Sequence, residues 1–150
     1  MTIRKAKKED FHHYLPLKKE SIKEYSKLIK EKLNTSDVNI KREFDMIFSS
    51  KEILLLSGEN HRIIGYLNGA LNISEKIGYV DDIFILKNFR KKNIGRLLMR
   101  EFTKILKHRK IKKCRLEVDL KNKKALELYK QLGFKVNKYV MEKKLKMSFE

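Results

Sequence analysis

The sequence predicts one mixed α+β (α/β mixed) domain, in which an antiparallel front sheet runs into a parallel strand pair. Three observations predict it. Apolar runs without a helix period alternate with stretches at helical spacing, in the order strand, two helices, three strands, helix, strand, helix, strand or hairpin. A turn-rich tetrapeptide joins two of the middle strands, so those two are antiparallel. The helix after the fourth strand is a crossover, the connection that parallel neighbours require. At 150 residues the chain is expected to be a single domain over 1–150, long enough to bury a core. It has no repeat, linker or low-complexity stretch.

Thr2 to Ala6 alternates in polarity and reads as a first strand. Asp10 is a candidate N-cap for a helix from Phe11, with Tyr14, Leu15, Ile22, Tyr25, Leu28 and Ile29 on its apolar side. Pro16 is expected to kink or split that helix. Asn34 to Val38 reads as a loop, and Ile40 to Ser49 as a second helix with Phe44, Ile47 and Phe48 inward. Ile53–Ser57 and Arg62–Asn72 are strands joined through Gly58-Glu59-Asn60-His61.

The chain is organised around residues 79–96. Tyr79 to Leu86 is β-branched and aromatic, the pattern of a mostly buried strand. Lys87 to Asn93 is polar and breaks it. From Ile94, apolar Leu97, Leu98, Phe102, Ile105 and Leu106 recur at helical spacing through Lys107. A loop entering a helix start presents unpaired N–H groups where the macrodipole already favours an anion. Lys87, Arg90, Lys91, Lys92 and Arg96 add cations there, and Asn93 and Gly95 tolerate unusual backbone geometry. These residues point to phosphate binding. Cys114 to Leu120 reads as the next strand, Asn122 opens a helix with Ala125, Leu128, Tyr129 and Leu132 on one face, Gly133 is its C-cap, and Phe134 begins a last strand.

Two motifs together resemble the GNAT superfamily of N-acetyltransferases. Arg90-Lys91-Lys92-Asn93-Ile94-Gly95 is similar to its Arg/Gln-x-x-Gly-x-Gly/Ala loop, with Asn93 standing at the first Gly. Asn122, Ala125, Leu128-Tyr129 and Leu132-Gly133-Phe134 resemble its Asn-x-x-Ala-x-x-Leu-Tyr-x-x-x-Gly-Phe helix. The match is good over residues 77–145. It implies a GNAT-like single domain, with a central mixed, mostly antiparallel sheet whose parallel pair is splayed, flanked by about four helices.

The resemblance also implies the chemistry: transfer of acetyl from acetyl-CoA, a cosubstrate, to a primary amine. Residues 91–96 (Lys91, Lys92, Asn93, Ile94, Gly95, Arg96) with Arg90 would hold the pyrophosphate, and Asn122 would reach the pantetheine arm. The edge of Ile83, Phe84 and Ile85 would bind pantetheine, beside a bulge near Ile85 that splays the pair. Tyr129, at the position of the family's helix tyrosine, would serve the departing thiolate as proton donor. Residue by residue, Tyr129 also lies in the apolar stripe of its helix and reads as core. For the base, Asp81 falls where some members carry a catalytic Glu, while many members use a water chain. Successive strand residues point to opposite faces, so only one of Asp81 and Asp82 easily faces a given site.

Composition sets further bounds. The formal charge is +18, and residues 61–150 carry 24 Lys and Arg against 9 Asp and Glu, net +15. The excess sits in the half that resembles a CoA-binding half, and such a field attracts a polyanion. The same charge supports a second reading, a catalytically weakened GNAT-like module that binds nucleic acid or another polyanion. Few aromatics accompany the cations, which argues against base stacking. The acceptor is expected over the less basic front half, among Glu20, Glu24, Glu31, Asp37, Glu43 and Asp45. Cys114, the single cysteine, reads as a small core residue. His12 and His13 are expected to diverge on their helix, and no metal site is expected. No apolar run suits a membrane or a signal peptide, so the cytoplasm is the default. Similar proteins are commonly homodimers.

Overall fold

The computed structural model describes residues 1–148. Its elements follow as β1 (Thr2–Lys5), α1 (Phe11–Ile29), α2 (Asp37–Phe48), β2 (Glu52–Glu59), β3 (Arg62–Asn72), β4 (Ile77–Ile85), α3 (Ile94–His108), β5 (Lys113–Leu116) and α4 (Lys123–Gln131). The strands form one open sheet in chain order. The first three pairings are antiparallel and β4–β5 is parallel, with α3 as the crossover.

Both faces of the sheet are covered, and β2 shows why its sequence is an unbroken apolar run. Ile53 and Leu55 pack on one side with the α3 stripe of Ile94, Leu98, Phe102 and Leu106. Leu54 and Leu56 pack on the other with Tyr14 and Leu17 of α1 and Ile40, Phe44 and Ile47 of α2. A strand buried on both sides has no polar alternation to show.

Several boundaries differ from the sequence reading, each for a physical reason. Pro16 does not split α1, which runs unbroken through it. Tyr14 and Leu17, on either side of the proline, are both buried in the same core, and that packing offsets the one lost hydrogen bond. Helix α2 starts earlier than expected, because the Ser36 hydroxyl accepts from the Asn39 N–H at 3.3 Å and caps it. The β2–β3 turn tightens to Asn60-His61, both at positive φ (50° and 64°), which suits a two-residue hairpin. Strand β5 is only four residues long, and no strand begins at Phe134: residues 134–148 hold no helix or strand.

Asp10 does not cap α1 through its side chain. Its carboxylate instead accepts both Arg4 guanidinium nitrogens at 2.8 Å and the Lys7 N–H at 2.7 Å. The Arg4 bonds hold its pKa down to about 2. A depressed carboxylate stabilises the fold above the unfolded-state pKa, and that stability is lost as pH falls through the folded value. Because Arg4 is partly solvated, the contribution is about 1–2 kcal/mol. Unfolding curves of wild type and Asp10→Asn should therefore differ at neutral pH and converge towards pH 2; a constant gap across that range would rule the linkage out.

Candidate functional site

The turn between β4 and α3 is built from alternating backbone geometries. Lys91 and Asn93 both take left-handed conformations, with φ of 63° and 62°. Asn93 is among the residue types that accept this, which is how the loop manages without the expected Gly. The first helical bond of α3 runs from the Leu97 N–H to the Asn93 carbonyl at 3.0 Å. The N–H groups of residues 91–96 consequently have no acceptor among the described residues. Successive free amides in such a turn form an anion-binding concavity, reinforced by the helix dipole. A Cβ built on Gly95 would meet only a Leu128 methyl at 3.9 Å. The space over the first turn is thus open, and its unbonded amides are of the kind that suit an anion such as a phosphate group.

The predicted cations divide between two tasks. The Arg90 guanidinium is held by both Glu24 oxygens at 2.7 Å, and its Nε donates to the Ile85 carbonyl at 2.8 Å. Arg90 therefore ties the loop to α1 and β4. Arg96 bonds Gln131 and ties α3 to α4. Lys91 and Lys92 form no ion pair among the described residues, and their charge remains available.

Next to this turn, one edge of β4 is open. The β4–β5 ladder runs from Ile77↔Lys113 to Val80↔Leu116 and stops. Opposite it, Asn68 pairs with Asp82 and Gly69 with Val80, so Asp81 is an extra residue in β4. This is a β-bulge, and bulges bend the strand that carries them. It falls at Asp81, a correction to the position near Ile85. Beyond it the Ile83 and Ile85 side chains pack with α3 and Phe84 with the α1–α2 side, leaving the backbone edge of 83–85 without a β5 partner.

Helix α4 delivers Tyr129 and Asn122. The Asn122 Oδ1 accepts from the Ala125 N–H at 3.2 Å and so caps the helix, while its Nδ2 has no acceptor among the described residues. The Tyr129 ring is 8 % exposed and packs edge-on against Phe134 at 5.9 Å. Its hydroxyl has no hydrogen-bond partner among the described residues and is not sealed off from the surface. Burial, then the charge of Asp82, pushes the phenol up to about 12. Tyr129 is therefore both a packed residue and a protonated O–H at the margin of the core.

The two aspartates part company at the bulge. Asp81 is exposed, and its carboxyl is raised above the usual range by desolvation and then by Glu52 and Asp82. Asp82 enters a network absent from the sequence reading: its Oδ2 accepts from Lys18 Nζ at 2.7 Å and from the Tyr66 hydroxyl at 2.6 Å. Nearby, the Asn68 Nδ2 donates to Glu52 at 3.4 Å, while its buried Oδ1 has no partner among the described residues. Glu52, Asp81, Asp82 and this carbonyl make an acceptor-rich patch on a chain that is otherwise strongly basic. Of the expected front-half acids, Glu24, Asp37 and Asp45 are already paired with Arg90, Lys19 and Lys41.

Other candidate groups fall away from this site. Burial pushes the Cys114 thiol up to about 11, so it is protonated at neutral pH and unfit as a nucleophile. The His12 and His13 rings do not diverge; their centroids lie 3.9 Å apart. Among the described residues no three His, Cys, Asp or Glu side chains cluster as a metal ion would need, and no helix is long and apolar enough to cross a membrane.

The family profile of the acetyltransferase (GNAT) family matches residues 6–134. The chain belongs to the GNAT family. No curated protein matches it in sequence. Among solved structures, this GNAT chain is similar to a tetramutant of the BH1408 protein from Bacillus halodurans (TM-score 0.84, 23% identity, covering 97% of this chain and 100% of that one). It is also similar to the aminoglycoside 6'-N-acetyltransferase AAC(6')-IG from Acinetobacter haemolyticus (TM-score 0.79, 17% identity, 99% and 100% covered). A third is the PaiA N-acetyltransferase from Thermoplasma acidophilum in complex with coenzyme A (TM-score 0.74, 23% identity, 91% and 90% covered). At such identities the likeness is one of fold.

Proposed function

We propose that this protein transfers an acetyl group from acetyl-CoA to a primary amine by direct attack in a ternary complex. The observation that carries the reading is the row of unbonded amides at residues 91–96 beside the unpaired 83–85 edge of β4. Together they offer donors for a diphosphate and a strand-like edge for an amide-bearing arm. That the PaiA N-acetyltransferase was solved with coenzyme A supports the same ligand here.

Acetyl-CoA supplies the acetyl group already activated as a thioester. The amides of Lys91 to Arg96 grip its pyrophosphate, with Lys91 and Lys92 adding charge, and Arg90 braces the turn. The edge of Ile83, Phe84 and Ile85 and the Nδ2 of Asn122 hold the pantetheine arm. A backbone N–H near Ile85 faces the carbonyl oxygen as negative charge develops on it. Tyr129 donates a hydrogen bond to the departing sulfur. The amine arrives as an ammonium, with a pKa near ~10.4, and must lose a proton before it attacks. Asp81 takes that proton, its raised pKa making it a better base than an ordinary carboxylate. The acceptor-rich patch of Glu52, Asp81, Asp82 and Asn68 suits a cationic acceptor on this side. The reaction is placed in the cytoplasm.

Since the unprotonated carboxylate is the active form, kcat/KM should fall as pH drops through the raised Asp81 pKa. Asp81→Asn should lower the rate and remove that acidic limb; an unchanged pH profile would take Asp81 out of the mechanism. The decisive test of the function is free-thiol release from acetyl-CoA against a panel of amines, with acetyl-CoA protection of thermal melting alongside. Neither thiol release nor protection, with retention on RNA at physiological salt, would replace this reading by a polyanion-binding module.

A further inference from the structure

Three strands lay a row of hydrogen-bond acceptors under α1 and α2. Glu52 shares a face of β2 with Leu54, Leu54 pairs with Asn68 of β3, and Asn68 pairs in turn with Asp82 of β4. Asp82 already has its cation, since Lys18 Nζ lies 2.7 Å from its Oδ2. Glu43 of α2, Glu52 and Asp81 form no ion pair among the described residues. They stay unpaired in a chain with 37 Lys and Arg against 19 Asp and Glu. The Asp81 carboxyl is raised by burial, then by the charge of Glu52 ahead of that of adjacent Asp82. The Glu52 and Asp81 side chains therefore face a common hollow across β3.

Tyr14 of α1 opens onto the same hollow. The residue is 2 % exposed, and its ring packs on Tyr66 and Phe44 at centroid distances of 5.1 and 5.3 Å. Its hydroxyl nevertheless has no hydrogen-bond partner among the described residues and is not sealed off from the surface. Burial raises the phenol's pKa, and the charges of Asp82, Glu43 and Glu52 raise it further, so its oxygen stands among these carboxylates. The Asn68 Oδ1 is buried beside them and has no partner either. A buried polar group without a partner costs free energy that a ligand's matching group recovers. Every group here accepts hydrogen bonds, and an ammonium, with three donors and no acceptor, is their complement. The neighbouring ring surface suits a cation too, for Lys18 Nζ stands 6.0 Å from the Tyr66 centroid.

We infer that Glu52, Tyr14 and Asn68 hold a second ammonium of the acceptor, which makes the acceptor a diamine or longer polyamine. This rests on the acetyl transfer proposed above and names the substrate class of that site. Charge balance distinguishes it from a monoamine. A monoamine gives its proton to Asp81 and attacks as a neutral group, leaving Glu52 uncompensated while the bound acceptor shields it from water. A diamine gives up one proton at its reacting end and keeps its other charge, which Glu52 meets with a charge-assisted hydrogen bond. The strands that carry Glu52 and Asp81 are two spacings apart, about 9–10 Å, so the two nitrogens need a short aliphatic chain between them.

Diaminobutane and butylamine share one carbon chain and differ by an ammonium. At fixed ionic strength, free-thiol release should give diaminobutane a kcat/KM about 10–100-fold above that of butylamine, the usual worth of a hydrogen bond to a charged group. Glu52→Gln and Tyr14→Phe preserve side-chain volume, and each should narrow that ratio by lowering the diamine's kcat/KM more than the monoamine's. Without acetyl-CoA, diaminobutane should raise the melting temperature of the wild type where butylamine at the same concentration does not, and Glu52→Gln should lose the shift. Equal kcat/KM for the two amines would overturn the inference and leave the acetyl transfer standing. A ratio or a melting shift undiminished in both variants would overturn it as well. Diamine protection that is lost in Glu52→Gln, in a protein that releases no thiol, would uphold the diamine site and remove the acetyl transfer.

Discussion

Replacing Tyr129 by Phe is expected to lower turnover about 10²–10³-fold, the usual loss on removing one donor aimed at developing charge. The acetyl-CoA dissociation constant should not change. The argument rests on the double character of this side chain. Its ring is packed at 8 % exposure against Phe134, and Phe preserves all of that packing. Its hydroxyl bonds to nothing among the described residues, so the substitution breaks no structural hydrogen bond and should leave the melting temperature unaltered. A pKa near about 12 keeps the phenol protonated throughout the working range. Full transfer to a thiolate whose conjugate acid has a pKa of ~8.5 is uphill. The O–H therefore stabilises the sulfur by hydrogen bonding, and the second proton, which the nitrogen loses after it has attacked (the first having gone to Asp81), completes the thiol. Steady-state kinetics and calorimetry on one preparation separate the outcomes. Equal losses in turnover and in acetyl-CoA affinity would mean that the hydroxyl serves binding, and no loss would return Tyr129 to the core alone.

The parts legible in the sequence are those fixed by local rules. The start of α3 at Ile94 was set by the end of the polar stretch, and its stripe of Ile94, Leu98, Phe102 and Leu106 by helical period. The parallel β4–β5 pair followed from the crossover. What stayed hidden depends on contacts between distant residues. No periodicity links Lys18 to Asp82, 64 positions away, or Glu24 to Arg90, 66 away; each pair exists because α1 is laid across β4. The bulge at Asp81 was equally silent. Two adjacent acids in an apolar strand signal a local irregularity, but only the register against Asn68 and Gly69 locates it. The strand expected from Phe134 is absent, residues 134–148 holding no helix or strand, because a strand exists only when its backbone finds a partner, and no local pattern reports that pairing.

That same register makes Gly69 the most sensitive backbone position beside the site. Gly69 lies in β3 opposite the bulge, where a Cβ would come within 2.3 and 2.5 Å of Phe102 ring carbons and 2.8 Å of the Tyr79 carbonyl oxygen. Neither neighbour is the free end of a flexible chain. Phe102 is fully buried in the α3 face of the core, and Tyr79 belongs to β4 beside the splay. Gly69→Ala should therefore destabilise the fold by about 1–3 kcal/mol, the range for overpacking a filled core. At this chain length that lowers the melting temperature by about 2–10 °C. The strain has two outlets, a shift of α3 or a widening of β3 from β4, and they can be told apart. If α3 yields, trimming the ring in Gly69→Ala/Phe102→Leu should restore part of the stability, so the double variant is better than the sum of its singles. The turn at residues 91–96 moves with α3, so acetyl-CoA affinity should fall in Gly69→Ala and recover in the double variant, although neither residue faces the ligand. If the two substitutions add, the ring is not the obstacle, and the Tyr79 carbonyl sets the limit on that strand.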